Sequence, residues 1–297
     1  MLDRASSFSH PEVVALLQNG FVPVAIDQAY HRRQKDNEGR FYRKIADAGP
    51  RSAGDGSPTT QGHYVATPGG EFLGYSNHRD VSRLLALLQD SLVRFEPDST
   101  EPLEEGDPDR RYVYGPPEGG LVVRVFTRIL GGYGEPTNSR QAIFQQATGR
   151  DNLWIRRDEH EELARGIMPE SLLVRLARFH LVDNTRGEPP MWKADEIRSA
   201  RCTVDDGVIR GRIHLATDSG DRTFEAELLG RLEVSENTVN RFDLVARGDF
   251  LGEGRYTRGA PEGKFPLGVA FRLAGGDDPA DDIPPQGSRG WLAGYLE

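Results

Sequence analysis

A single cysteine, Cys202, stands in the 297 residues of this chain. One thiol cannot close an internal disulfide, and its isolation agrees with a reducing compartment. Long apolar runs are missing too: no stretch of about 18 apolar residues occurs, so no helical membrane span is expected. The first twenty residues lack the basic start and apolar core of a secretory signal, with Asp3 and Arg4 where that core would begin. Positive charge is also short. Lys and Arg number 37 against 46 Asp and Glu, a formal net charge of -9, which argues against nucleic acid or an anionic membrane as partner, because clustered basic residues supply most of that affinity. A small molecule or a protein is left as the partner, and the cytoplasm as the expected location.

The composition that is present, 37% hydrophobic and 28% charged, suits a globular chain long enough for two cores. Residues 96–109 hold seven acidic residues, three prolines and no basic one. Such a run cannot bury enough apolar surface to pack and reads as a solvated linker. It divides the chain into residues 1–95, a linker at 96–110, and residues 111–297.

The first part reads as α/β. Ser9 is placed as a helix N-cap, with Pro11 and Glu12 in the first turn and Val13, Val14, Leu16 and Leu17 as its apolar stripe, ended by Gly20. Residues 21–26, Phe-Val-Pro-Val-Ala-Ile, read as a buried strand with a bulge or an unpaired amide at Pro23. A polar helix is expected over 33–45. Two strands, 63–67 and 71–75, flank Pro68-Gly69-Gly70 as a hairpin, and Asn77 is placed as the cap of a last helix carrying Val81, Leu84, Leu85, Leu87 and Leu88.

The segment Ser7-Phe8-Ser9-His10-Pro11-Glu12-Val13, the run 21–27 and the stretch 62–70 together resemble the thioredoxin superfamily over about a third of the chain. The resemblance implies a fold whose first strand and Cys-x-x-Cys pair would precede Met1, so that residues 1–95 form a truncated, thioredoxin-like domain. In that family the helix N-terminus lowers the pKa of the first thiol, and a cis-proline faces the pair. Gln61 occupies the cis-proline-equivalent position here, Pro58 lying three residues too early. The missing strand would lie between 21–26 and 63–67, and its loss would orphan two rows of backbone groups. Three explanations stand: a reading frame truncated upstream, for example at a selenocysteine codon read as a stop, which would also remove any upstream signal; a strand donated by the second domain or a partner; or direct pairing of the flanking strands.

Beyond the linker the pattern is mainly β. Strands are read at 121–127, 207–217, 223–234, 239–248 and 266–273, giving an antiparallel sheet or open barrel with two short helices at 158–165 and 169–179. The densest set of reactive side chains is His180, Asp183, Arg186, Glu188 and Trp192, a candidate ligand-binding loop with Arg186 as a forked donor; the stronger reading is a structural turn anchored by Trp192. No catalytic spacing emerges from it. His160-Glu161-Glu162 diverge on a helix, so no metal site is expected, nor is any cofactor. Cys202 reads as a small strand hydrophobe. The function expected is a thiol-redox-type protein fused to a β domain, inactive in thiol exchange without its nucleophile; the alternative is a non-catalytic binding module on the same scaffold.

Overall fold

The computed structural model describes residues 6–26, 28–50, 61–97, 106–109, 115–288 and 291–297. It divides into two compact units, 6–113 and 114–297.

In the N-terminal unit, α1 (Pro11–Gly20) starts with proline in its first turn and His10, not Ser9, as N-cap; the Ser9 hydroxyl turns back to the Ser6 carbonyl instead. A short α2 (Gln28–His31) precedes α3 (Asn37–Asp47). The helix expected from residue 33 begins four residues later because Asp36 caps it, its side chain accepting the Gly39 N–H. The hairpin forms as read: β1 (His63–Ala66) pairs antiparallel with β2 (Phe72–Ser76). α4 (Val81–Arg94) is capped by Asp80, which accepts the Arg83 N–H at 2.9 Å, rather than by Asn77. Val13, Val65, Leu73, Leu84 and Leu88 form the core.

Residues 21–26 depart from expectation. They belong to no strand, and Val22 and Val24 are 88% and 72% exposed. β-branched composition makes a strand only where a neighbour supplies hydrogen bonds. Among the described residues the two-stranded sheet holds β1 and β2 alone. Only Phe21, at the head of the segment, packs against the core. Much of the loop expected at 49–57 lies outside the described residues. The end of the acidic stretch is tied down rather than free: Asp109 accepts the Lys35 N–H at 3.0 Å and donates its own N–H to Asp36 at 2.7 Å.

The C-terminal unit is built on one antiparallel sheet. Its elements are β3 (Leu121–Ile129), α5 (Ser139–Gln146), β4 (Thr148–Ile155), α6 (Arg157–Ala164), α7 (Glu170–Phe179), β5 (Ile197–Asp205), β6 (Val208–Ala216), β7 (Thr223–Ser235), β8 (Thr238–Leu251), β9 (Lys264–Leu273) and α8 (Leu292–Leu296). Seven strands lie in the order β4-β3-β9-β8-β7-β6-β5, and the sheet is open, not closed into a barrel. The two expected helices are present as α6 and α7; α5, α8 and the strand β4 come in addition to them.

Alternation sends Val123, Val125, Phe224, Leu244, Phe265, Val269 and their neighbours to one face. There α7 presents Leu172, Leu173, Leu176 and Ala177, the i, i+1, i+4, i+5 stripe of a buried helix face. At the β7–β8 turn Glu236 and Asn237 take φ of 51° and 60°, the left-handed pair that a two-residue hairpin loop requires. No described helix is long and apolar enough to cross a membrane.

One ion cluster closes the β4 edge. Asp281 accepts two bonds from Arg124, each 2.8 Å, and sits 3.2 Å from Arg150. The hydrogen bonds from Arg124, reinforced by the charge of both arginines, hold the Asp281 carboxyl below the usual carboxylate range. The folded state therefore binds this proton less readily than the unfolded chain, whose aspartates titrate near about 3.9. That contribution to stability is complete above the unfolded value and is lost as pH falls through the lower folded value. In urea titrations from pH 6 downward, the unfolding free energy is expected to fall below about pH 4, and Asp281→Asn is expected to flatten that slope; identical slopes would refute the assignment.

Candidate functional site

Two places hold the residues singled out by the sequence. The first is the end of the N-terminal unit where α1 begins. Ser7 is fully buried there, and its hydroxyl, like Nδ1 of His10, has no hydrogen-bond partner among the described residues. Phe8 meets the His63 ring edge-on, centroids 4.9 Å apart, which brings the start of β1 beside the turn that leads into α1. Gln61 is exposed just before β1, and its carbonyl accepts the Tyr75 hydroxyl at 2.6 Å. Gly62 follows at φ 156°, close against the Tyr75 ring. This end of α1 thus gathers polar groups and an apolar ring beside a hairpin whose first strand pairs, among the described residues, with β2 only.

The second place is the loop after α7. Polar residues in a loop usually face water, yet His180, Asp183, Arg186 and Trp192 are all buried, and only Glu188 is exposed. Asp183 accepts the Thr185 N–H and hydroxyl on one oxygen and pairs with Arg186 through the other. Arg186 spends its remaining donors on the Thr257 carbonyl, the Tyr133 hydroxyl and the Thr185 hydroxyl. The fork expected to hold a ligand is closed on protein groups. Trp192 donates its indole N–H to the Leu181 carbonyl at 2.8 Å, under the Arg222 guanidinium at 3.7 Å from the ring centroid.

His180 joins a different group from Asp183 and Arg186. Its Nε2 lies 2.7 Å from the Tyr295 hydroxyl, while its Nδ1 lies 3.1 Å from Asp151 but off the line of a hydrogen bond. Burial pushes the Tyr295 phenol well above its ordinary range, so it keeps its proton. Asp151 and Tyr295 are not singled out by the sequence, since they lie far from His180 along the chain and carry no motif. A cleft of about 310 Å³ opens beside Tyr295 between α7 and α8. The guanidinium of Arg175 on its wall is committed to Glu159 and to the carbonyls of Tyr295 and Leu296.

Cys202 is half-buried in β5, with its thiol pushed up to about 11 by burial. At neutral pH it is a thiol, not a thiolate, and a weak nucleophile. His160 is not a ligand either: its two ring nitrogens meet the Gly119 carbonyl and the Val239 N–H. No cluster of metal-binding side chains occurs among the described residues.

Comparison of the chain with protein-family models, with curated proteins and with solved structures found no match.

Proposed function

We propose that this chain is a thiol-redox-type protein of thioredoxin-like kind fused to a β unit, and that it does not by itself exchange thiols and disulfides. One observation carries the reading. Residues 21–26 have a strand's composition but belong to no strand, and among the described residues β1 pairs only with β2; on this reading a slot for an inner strand lies between them. The buried hydroxyl of Ser7 and the ring of His63 gather at the head of α1, where a strand entering that slot would hand the chain to the helix. The sole sulfhydryl is protonated and half-buried in the other unit. Exchange requires an accessible thiolate, and Cys202 does not offer one.

The second reading, a non-catalytic binding module on the same scaffold, is favoured by that missing thiolate alone. One assay separates them. In the reduction of insulin by dithiothreitol, the chain is expected to leave the rate at the reagent's own background, with Cys202→Ser indistinguishable from it. Turnover that survives Cys202→Ser overturns the inactivity. Preceding the chain with an apolar strand that ends in Cys-x-x-Cys is expected to create turnover dependent on those cysteines; a protected new strand without turnover favours the binding module.

A further inference from the structure

The solvent-facing side of the large sheet carries charge of the sign the whole chain lacks. Pairing places Leu229 of β7 opposite Val245 of β8, Val245 opposite Ala270 of β9, and Ala270 opposite Phe126 of β3. Leu229, Val245 and Phe126 are 60%, 47% and 38% exposed, so the four form an apolar row across four strands, about 14 Å long at the usual strand spacing. Leu130 widens it by lying over Gly268, where a Cβ would meet its side chain at 3.1 Å.

Exposed arginines border this row. Arg247 and Arg128 lie on either side of Gly268 along one flank, Arg272 lies on the other, and Arg210 stands opposite Leu229 at the end. None of the four has an ion-pair partner among the described residues; the acids paired directly opposite them are held by other arginines, and Asp249, two residues along β8 from Arg247, is the one exposed acid beside the row without an ion pair among the described residues. Glu227, opposite Arg247, is held by Arg212 at 2.9 Å. Asp243, opposite Arg272, is held by Arg241 at 2.6 Å, and Arg124 on its other side is committed to Asp281. Acids do stand among these arginines, at Glu227 and Asp243, but arginine outnumbers them around the row. An apolar line runs between guanidinium groups without ion-pair partners among the described residues, on a chain of net charge -9.

We infer that this face is a docking surface for an acidic amphipathic helix of a partner protein. A helix of about ten residues spans about 15 Å, matching the row. Its apolar residues at i, i+4 and i+7 would lie on Leu229, Val245, Ala270 and Phe126. Carboxylates on its two flanks would meet Arg128 and Arg247 on one side and Arg272 on the other, one row being about 7 Å from the next. Guanidinium groups suit this role because their forks take carboxylates bidentately. Single-stranded nucleic acid also seeks arginine on a sheet face, but it gains its affinity by stacking bases on aromatic rings. This row has one ring, Phe126, already beneath the Arg150 guanidinium at 5.4 Å.

The test is fluorescence anisotropy with the full chain and three labelled probes: an acidic helical peptide of about fourteen residues with a leucine stripe, a scramble of identical composition, and an oligothymidylate. The striped peptide is expected to bind at least about ten-fold more tightly than the scramble. Val245→Asp and the double variant Arg128→Glu with Arg247→Glu are each expected to weaken it by at least about ten-fold. These side chains are exposed, so circular dichroism and the unfolding midpoint should stay put; Leu229→Glu provides a second apolar variant should one misfold. Equal binding of striped and scrambled peptides, no peptide binding, or tighter binding of the oligothymidylate lost in the same arginine variants would each overturn the inference.

Discussion

Glu159→Ala is expected to lower the unfolding free energy of the C-terminal unit by about 3–5 kcal/mol. Glu159 has no solvent exposure, and three donors converge on its carboxylate: the Arg156 N–H at 3.0 Å, the Ser171 hydroxyl at 2.6 Å and the Arg175 guanidinium at 2.6 Å. Arg175 is buried too, and its other nitrogens hold the carbonyls of Tyr295 at 2.9 Å and Leu296 at 2.7 Å. Removing the carboxylate therefore strands a cation in the interior and loosens the junction of α6, α7 and α8 together. Replacing both partners by apolar residues of similar volume is expected to cost less than removing one, since no uncompensated charge is left behind. All three tryptophans, Trp154, Trp192 and Trp291, belong to this unit, so their fluorescence in a urea titration reads its unfolding alone. A loss below about 1 kcal/mol would place the pair among solvent-screened bridges and contradict its burial.

Trp192→Ala is expected to destabilise the same unit by about 3–5 kcal/mol. The indole is 1% exposed, meets Phe250 edge-on at 6.3 Å and supports the Arg222 guanidinium. Arg222 is held by Glu196 at 3.3 Å and by the carbonyls of Pro190 and Met191, yet its Nε has no hydrogen-bond partner among the described residues. Losing the ring opens a cavity and removes the face on which this desolvated cation rests. Trp192→Phe keeps most of the volume and forfeits the bond to Leu181, so a smaller loss of about 1–3 kcal/mol is expected. Circular dichroism during denaturation is the proper readout because the substitution deletes a fluorophore. If the alanine variant kept wild-type stability, Trp192 would not be the anchor of the 180–192 loop.

What is legible in the sequence follows from how local each signal is. The β7–β8 hairpin announces itself through Glu236-Asn237 between alternating strands, and α7 through its apolar stripe; both are set by neighbours in the chain. β4 escapes because Arg150, Asp151 and Asn152 sit in its middle. Their polarity is absorbed by a segment more than a hundred residues away: Asp281 faces Arg150, Asn152 donates to the carbonyls of Ala280 and Ile283, and Asp151 accepts the Gln286 N–H. Residues 21–26 fail in the opposite way, having a strand's composition without a neighbour to bond. The loop at His180, Asp183 and Arg186 is visible as a cluster of reactive types, but its inward turn depends on Tyr133, Thr257 and Tyr295, which no spacing near residue 180 foretells.

Pro23 gives the bare ribbon at 21–26 a handedness of its own. In a strand successive peptide groups aim at opposite margins, so on pairing residues 21, 23 and 25 would serve one margin and 22, 24 and 26 the other. Proline has no N–H to give. On the odd-numbered margin Pro23 has no N–H and the Phe21 N–H is already given to the Leu17 carbonyl, while Val22, Val24 and Ile26 on the other margin each carry an N–H. An incoming chain would therefore meet more donors on the margin of Val22, Val24 and Ile26 than on the other, which makes that side the easier one to extend.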